Sequence, residues 1–520
     1  MKFFLSRFGS MIRFILSGFD RLRFCGESRL LNHARGFQSY CYQQRLLFKD
    51  FPDHAQALTK TFRAQTLQQL GDVPVHHLDS PDIDKEATAL KLAQQHGRTQ
   101  GRIALITCQE SALTYRLRRN VQGLVEPRKE KTRCAHYYHY FLHEQFGLCV
   151  VRIGTWFPFS VRVVLNGRRW LAQQLRQRRV SYQARGNLIT DVASVPLAQQ
   201  LLDEQVQVAW PQALEALVRP VHPLWDYLHD QARTPFYWMT EQSEWATDIV
   251  FAEPQFMAQW YPRWIRHGIE TLSCKDVLRY LGKQVPDHGY GRCLGEAKID
   301  LRTRLEGTRL KFWYGTNQSK MYDKEAPLAN ALRVETTIND PSMFKVYRTP
   351  EGAGREAPKS WQQMRKGVAD LPRRAEVSQS ANHRLADSLA TVAESTELGK
   401  LLEPLGRPLM VEGRRMARAL NPLTGADGDL LRTLATGDYL VNGFRNRDLR
   451  LARFGVCTDA TERRRQAAKI TRLLALVRAH GLILKVQKTH RYQLTASGRR
   501  ICTALLAAHN ANVNRLTEAA

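Results

Sequence analysis

The sequence predicts an α+β protein of several domains, a mixed helical and β-sheet body followed by a compact, basic C-terminal domain. Runs of period-two alternation, such as Leu310 to Tyr314 and Leu332 to Ile338, are interspersed with stretches of helical spacing. The 520 residues suffice for several cores. Charge is distributed unevenly: Lys plus Arg number 77 against 49 Asp plus Glu, a net +28. Residues 406–520 alone carry 21 basic and 8 acidic side chains.

A hydrophobic share of 43% with 24% charged residues is that of a globular chain, which excludes wholesale disorder. The basic excess points to a polyanion, and DNA is the expected partner. No stable membrane association is expected, because Arg7, Arg13, Asp20 and Arg21 interrupt the apolar N-terminal stretch. The nine cysteines are scattered, odd in number and form no CxxC pair, as in a reduced, cytoplasmic protein. Walker A, dinucleotide-fingerprint and Gly-x-Ser-x-Gly patterns are missing, so nucleotide hydrolysis, hydride transfer and serine-hydrolase chemistry have no support.

Taken in order, residues 1–100 form a mainly helical N-terminal region, with a strand from Phe14 to Phe24 that carries Asp20. Residues 101–350 form a central α+β body. It begins with the apolar run Arg102–Cys108, and the sequence CAHYYHYFLHEQFG follows. On a helix, His136, His139 and His143 would share one face and could hold zinc or manganese; on a strand, His136 and His139 point to opposite sides and that site dissolves. Leu148–Ile153 and Phe159–Leu165 read as strands, and Asn166-Gly167 turns into the Arg-rich helix Arg168–Arg179, a cationic edge for nucleic acid or a solvated face. Residues 180–308 read as mainly helical, their tryptophans as core anchors, and Glu241, Glu244 and Asp248 as an acidic cluster able to join a metal site. Residues 351–405 form a helical connector.

The stretch from Arg309 to Arg348 carries the densest chemistry. If the strand Leu332–Ile338 alternates, Arg333, Glu335 and Thr337 share a face. Asp323 and Glu335 are candidate ligands for Mg²⁺ or Mn²⁺, Tyr322 a candidate nucleophile, and Lys320, Lys324 and Arg333 candidate phosphate partners. The bland reading of the same residues is a solvated strand face with cross-strand ion pairs. The residues Lys320, Tyr322, Asp323, Lys324, Arg333 and Glu335 are similar to the Tyr-Asp-Lys and Arg-x-Glu arrangement of rolling-circle replication initiators of plasmids and filamentous phages. That resemblance implies metal-assisted nicking of DNA through a tyrosine. The chain departs from many nicking enzymes in lacking a His-hydrophobic-His motif.

Residues 406–520 read as three helices, a hairpin and a last helix, with Gly481 ending the long third helix. The segment GLILKVQKTHRYQLTASGRR resembles winged-helix, MarR-like DNA-binding domains. The resemblance assigns groove contacts to Arg463, Arg464, Arg465, Lys469 and Arg472, and backbone contacts to Lys485, Lys488 and Arg491. Two readings of the whole follow: a DNA-nicking or strand-transfer protein of a mobile element, or a non-catalytic transcriptional regulator with a large sensing body. A homing endonuclease or a ribonuclease would share the charge and the acidic pair.

Overall fold

The computed structural model describes residues 1–123, 125–272, 280–281, 297–304, 307–324, 329–350, 357–390, 398–411, 415–435, 439, 443–486 and 489–510. Helices and a large mixed sheet make it α+β. The main sheet and one hairpin are built, among the described residues, from β1 (Ile12–Ser28), β2 (Val75–Leu78), β3 (Gly101–Arg119), β4 (Val125–His143), β5 (Gly147–Gly154), β6 (Val161–Asn166), β7 (Tyr182–Arg185), β8 (Leu188–Val192), β9 (Phe236–Phe251), β10 (Ala297–Arg304), β11 (Gly307–Tyr314), β12 (Asn317–Asp323) and β13 (Ala331–Ile338). All except the β7–β8 hairpin belong to one sheet, ordered β10-β11-β12-β13-β9-β1-β6-β5-β4-β3-β2.

The connectivity in that sheet runs twice. A long strand (β1, then β9) is followed by helix, and then by a four-strand run (β3 to β6, then β10 to β13) whose last member returns beside the long strand. The chain divides into two compact units. One comprises Phe14–Val250 and Glu335–Gln379, the other Met1–Arg13, Phe251–Val334 and Ser380–Ala520.

In the first unit, side-chain alternation gives the sheet two different faces. Phe24, Val151, Ile153, Val161 and Val163 join a core with Phe37, Tyr40, Phe62 and Trp210 from the helices Ala34–Gln43, Phe51–Gln68 and Trp210–Val218. On β3, Leu105 belongs to this core, whereas Ala104 and Ile106 pack with Ala89 and Ala93 of the helix Lys85–Gln95. Burial on both faces is why this strand reads as a continuous apolar run. Phe62 is fully buried, stacked on Phe159 at 5.4 Å, so Phe62→Ala should cost about 3–5 kcal/mol. Gly26 admits the Trp238 ring so closely that a Cβ there would lie 2.8 Å from it.

The β3–β4 pairing outruns its neighbours. It continues from Gln109↔Ala135 to Arg119↔Val125, beyond the last pairs of β2 (Leu78↔Cys108) and β5 (His136↔Gly154). The result is a two-stranded ribbon bearing Arg116, Arg118, Arg119, Arg128, Lys129, Lys131 and Arg133. Tyr115 ties it down by donating its hydroxyl to Leu31 O at 2.9 Å.

In the second unit, Phe4 and Phe8 of the helix Lys2–Phe8 pack on Trp264 of the helix Phe256–Thr271. The Asp387 carboxylate accepts from the N-terminal ammonium at 2.6 Å and from the Phe3 and Phe4 amides, which suits the positive start of that helix. Residues 398–505 hold their own core, including Leu431, Phe444, Ile470, Leu474, Leu494 and Cys502. Its elements run helix Gly425–Leu434, strand Phe444–Arg445, helix Asn446–Phe454, helix Ala460–Ala479, strands Ile483–Lys485 and Arg491–Leu494, helix Ala496–Asn510. The strand Phe444–Arg445 pairs with Arg491–Leu494, which pairs in turn with Ile483–Lys485. Asp459 caps the long helix by accepting from the Thr461 and Glu462 amides, and Gly481 ends it at φ +69°.

Several expectations change. Asp20 lies on a strand of 17 residues that reaches both ways beyond Phe14–Phe24 and joins the sheet of the central body. The stretch around Glu241 to Asp248, read as helical, is β9. The Arg-rich helix forms as Gly167–Gln177, but Arg168 is 1% exposed and turned inward, so it adds nothing to a cationic edge. The tryptophans 210, 225, 238, 245 and 264 are core residues, as expected. Among the described residues the cysteines are all free, and no helix is long and apolar enough to cross a membrane.

Candidate metal centre

Three adjacent strands, β13, β9 and β1, each contribute one carboxylate to a common point. Ser17 Oγ lies 3.1 Å from Thr247 Oγ1, and the Phe19 and Trp245 rings meet at 4.8 Å. Counting along both strands from these pairs sets Asp20 opposite Glu244. Glu335 comes from β13, and one oxygen of each of the three side chains lies within 4.8 Å of the other two. Asp20 is 6% exposed, Glu244 9% and Glu335 1%. Among the described residues this is the only such group of three or more acidic, histidine or cysteine ligands.

Carboxylate oxygens within 4.8 Å of one another repel when ionised unless cations answer their charge. A divalent cation reverses the sign of that term for all three groups at once. Three carboxylates plus water suit a hard, oxygen-seeking ion such as Mg²⁺ or Mn²⁺. Neighbouring polar groups hold one of the carboxylates and the strands that carry two of them. Asn187, in the turn between β7 and β8, donates to Asp20 Oδ1 at 2.6 Å. Arg168 reaches Asp248 on β9 at 2.9 Å and also donates to Leu16 O and Ala246 O.

Of the sequence candidates, Glu335 is in this cluster. Asp323, expected as its partner, is not; it ends β12, where burial raises its carboxyl to about 7. Tyr322 is 5% exposed, with the Arg309 guanidinium 4.3 Å and the Lys320 ammonium 6.0 Å from its ring centre. Lys324 donates its backbone amide to Ala331 O, and Arg333 is fully buried. Of the acids expected to join a metal site from Glu241, Glu244 and Asp248, only Glu244 is in the cluster, whereas Glu241 pairs with Arg162 and Asp248 with Arg168. Asp20 is visible in the sequence as an acid within a strand, and the β1–β9 register sets it opposite Glu244.

The three histidines sit on β4, a strand, and the structure does not bring them together. His136 Nδ1 is 3.1 Å from Cys134 O, and His143 Nδ1 accepts from the Gln145 and Phe146 amides. His139 is fully buried with both ring nitrogens lacking a hydrogen-bond partner. Burial pushes His136 down to about 4 and His139 to about 3, so both are neutral near pH 7. A helical spacing that would align them is replaced by alternation, which the aromatic residues between them favour.

On the C-terminal domain, Arg463, Arg464, Arg465, Lys469 and Arg472 are exposed on the helix Ala460–Ala479, while Ile470, Leu474 and Val477 face the core. Lys485 is exposed, Arg491 is half-buried, and Lys488 lies outside the described residues. Asn446 binds the Ala467 carbonyl and Thr471 Oγ1, both at 2.9 Å, clasping the preceding helix to this one.

Compared with known proteins, the chain matches no family model, no curated protein and no solved structure.

Proposed function

We propose that this chain is a DNA-processing protein of a mobile or plasmid-like element that cuts or transfers a DNA strand with a divalent metal. The observation that carries this reading is the convergence of Asp20, Glu244 and Glu335 within 4.8 Å in a chain of net charge +28. Asp20, Glu244 and Glu335 would hold Mg²⁺ or Mn²⁺, which would supply charge to polarise a scissile phosphate. Tyr322 is the proposed nucleophile: its oxygen bonds to phosphorus as a P–O bond to deoxyribose breaks, and the hydroxyl proton that the tyrosine gives up passes through solvent to the leaving oxygen. Lys320, Lys324 and Arg333 are proposed to offset phosphate charge. The C-terminal domain, read as a winged helix, brings the body to duplex DNA through Arg463, Arg464, Arg465, Lys469, Arg472, Lys485, Lys488 and Arg491. A cytoplasmic location accords with the free cysteines.

The test is incubation with supercoiled DNA carrying the protein's own flanking sequences, with Mg²⁺ or Mn²⁺, scored for nicked circles and for protein joined to DNA. Nicking that Glu335→Gln abolishes supports the metal centre. An adduct lost in Tyr322→Phe assigns the nucleophile, whereas nicking without adduct assigns water. Tight, salt-sensitive binding without cleavage under either metal overturns the proposal and leaves a transcriptional regulator.

A further inference from the structure

A pocket of about 340 Å³ opens at the foot of the β3–β4 ribbon, within the unit that holds the carboxylates but sharing no residue with them. Its walls include Lys129 and Lys131 from β4, Arg152 from β5, Arg162 from β6, Ser28 from β1 and His136. Glu27 is the one carboxylate among its lining residues. The strand register explains the concentration of cations. Arg162 pairs with Arg152 across β5–β6 and with Cys25 across β1–β6, so the two guanidiniums stand side by side on one sheet face.

Part of this charge is already answered. Arg152 lies 2.9 Å from Glu110 and Arg162 lies 2.8 Å from Glu241, both carboxylates outside the lining. Four cations against Glu27, Glu110 and Glu241 still leave a positive balance. Lys129 spends one donor on Asn32 Oδ1 at 3.0 Å, and burial lowers its pKa, the mark of an ammonium short of water. Lys131 is exposed and makes no ion pair among the described residues.

The independent sign of a ligand is Ser28. It is 5% exposed, lines the pocket, and its hydroxyl has no hydrogen-bond partner among the described residues. Buried hydroxyls are ordinarily paired, so a donor left over at a cationic wall is available to an anion. Opposite, His136 donates Nδ1–H to Cys134 O, which leaves the Nε2 lone pair as an acceptor, and Gly154 stands beside it without a side chain. Guanidinium forks, ammonium charges and a hydroxyl donor are the groups that bind phosphate. The volume exceeds that of a phosphate ion alone and falls at the small end of ligand pockets.

We propose that this pocket binds the phosphate of a nucleotide, either free or as the terminus of a DNA strand. The site stands apart from the carboxylate cluster, so its test is binding and not cleavage. Titration calorimetry of the full chain would use inorganic phosphate, a nucleoside 5′-monophosphate, and a single-stranded oligonucleotide with and without a 5′-phosphate. Binding of the monophosphate, or tighter binding of the phosphorylated oligonucleotide than of its unphosphorylated twin, is expected. Lys131→Glu and Ser28→Ala should each weaken it, the first at least tenfold, with far-ultraviolet circular dichroism unchanged. A preference for the oligonucleotide assigns a strand end, and a preference for the monophosphate a free nucleotide. The proposal is overturned when the wild-type chain binds none of these probes, or when Lys131→Glu binds them as tightly as wild type.

Discussion

Arg168 Nη2 lies 2.9 Å from Asp248 Oδ2, with side chains 1% and 3% exposed, in a helix-to-strand pair closed off from water. Removing one member takes a buried partner at 2.9 Å from the other, so Asp248→Asn should lower stability by about 3–5 kcal/mol. Replacing both with leucine should cost less than either single change. Urea unfolding of the three variants decides it, and an additive double variant would show that the pair is not coupled.

The carboxylate cluster should make stability metal-dependent. At Mn²⁺ a hundredfold above its dissociation constant, the wild-type chain should gain about 2.7 kcal/mol. Glu335→Gln and Asp20→Asn should lose that gain, while Asp323→Asn should keep it, because Asp323 lies outside the cluster. Differential scanning calorimetry with and without metal gives the comparison.

His139 should contribute acid sensitivity. Its folded pKa, about 3, lies below the ordinary 6.5, so the unfolded chain takes up a proton that the folded chain refuses. Stability is therefore unaffected above about pH 6.5 and falls as pH drops from there towards 3. Neither nitrogen has a hydrogen-bond partner, so His139→Leu forfeits no bond and should flatten the decline between pH 6.5 and 4. An unchanged pH profile of the unfolding temperature would refute this.

Asp323 should act in the opposite sense. Burial raises its carboxyl from 3.8 to about 7, so the folded chain holds a proton that the unfolded chain releases, and stability falls as pH rises from about 4 to 7. Asp323→Asn should leave the unfolding temperature near pH 4 unchanged and raise it at pH 8. A variant less stable at pH 8 would mean that the ionised carboxylate is held by a favourable partner.

The exposed arginines of the helix Ala460–Ala479 should govern salt dependence. Arg463, Arg464 and Arg465 changed together to Gln should reduce the slope of log K against log salt by about 2–3, roughly 0.9 for each phosphate that is no longer neutralised. Fluorescence anisotropy with duplex DNA from 50 to 300 mM salt measures it, and an unaltered slope would overturn the DNA contacts proposed for this helix.

The strands β11 to β13 are legible because polar and apolar residues alternate along them, and Glu335 is legible because Arg-x-Glu sits within such a strand. The segment Glu241–Asp248 reads as helical in the sequence for a physical reason: residues Ser243–Phe251 are all buried, so the period-two signal of a half-exposed strand is missing. The pairing of Glu335 with Asp323 rests on nearness in sequence. Its actual companions in the cluster, Asp20 and Glu244, are set by sheet order, which local patterns do not encode. At the histidines, residue spacing allows a helix and a strand alike, and the tyrosines between them carry the correct signal.

The carboxylates at 20, 244 and 335 also define when during synthesis the centre can exist. Its last carboxylate leaves the ribosome only after nearly two thirds of the chain, and β13 must then settle beside a strand made about ninety residues earlier. Any fragment ending before Glu335, whether from stalled translation or proteolysis, carries basic surfaces yet lacks the full ligand set. On the proposed function, such a fragment would occupy DNA without cutting it, so shortened products of this chain should inhibit the intact one.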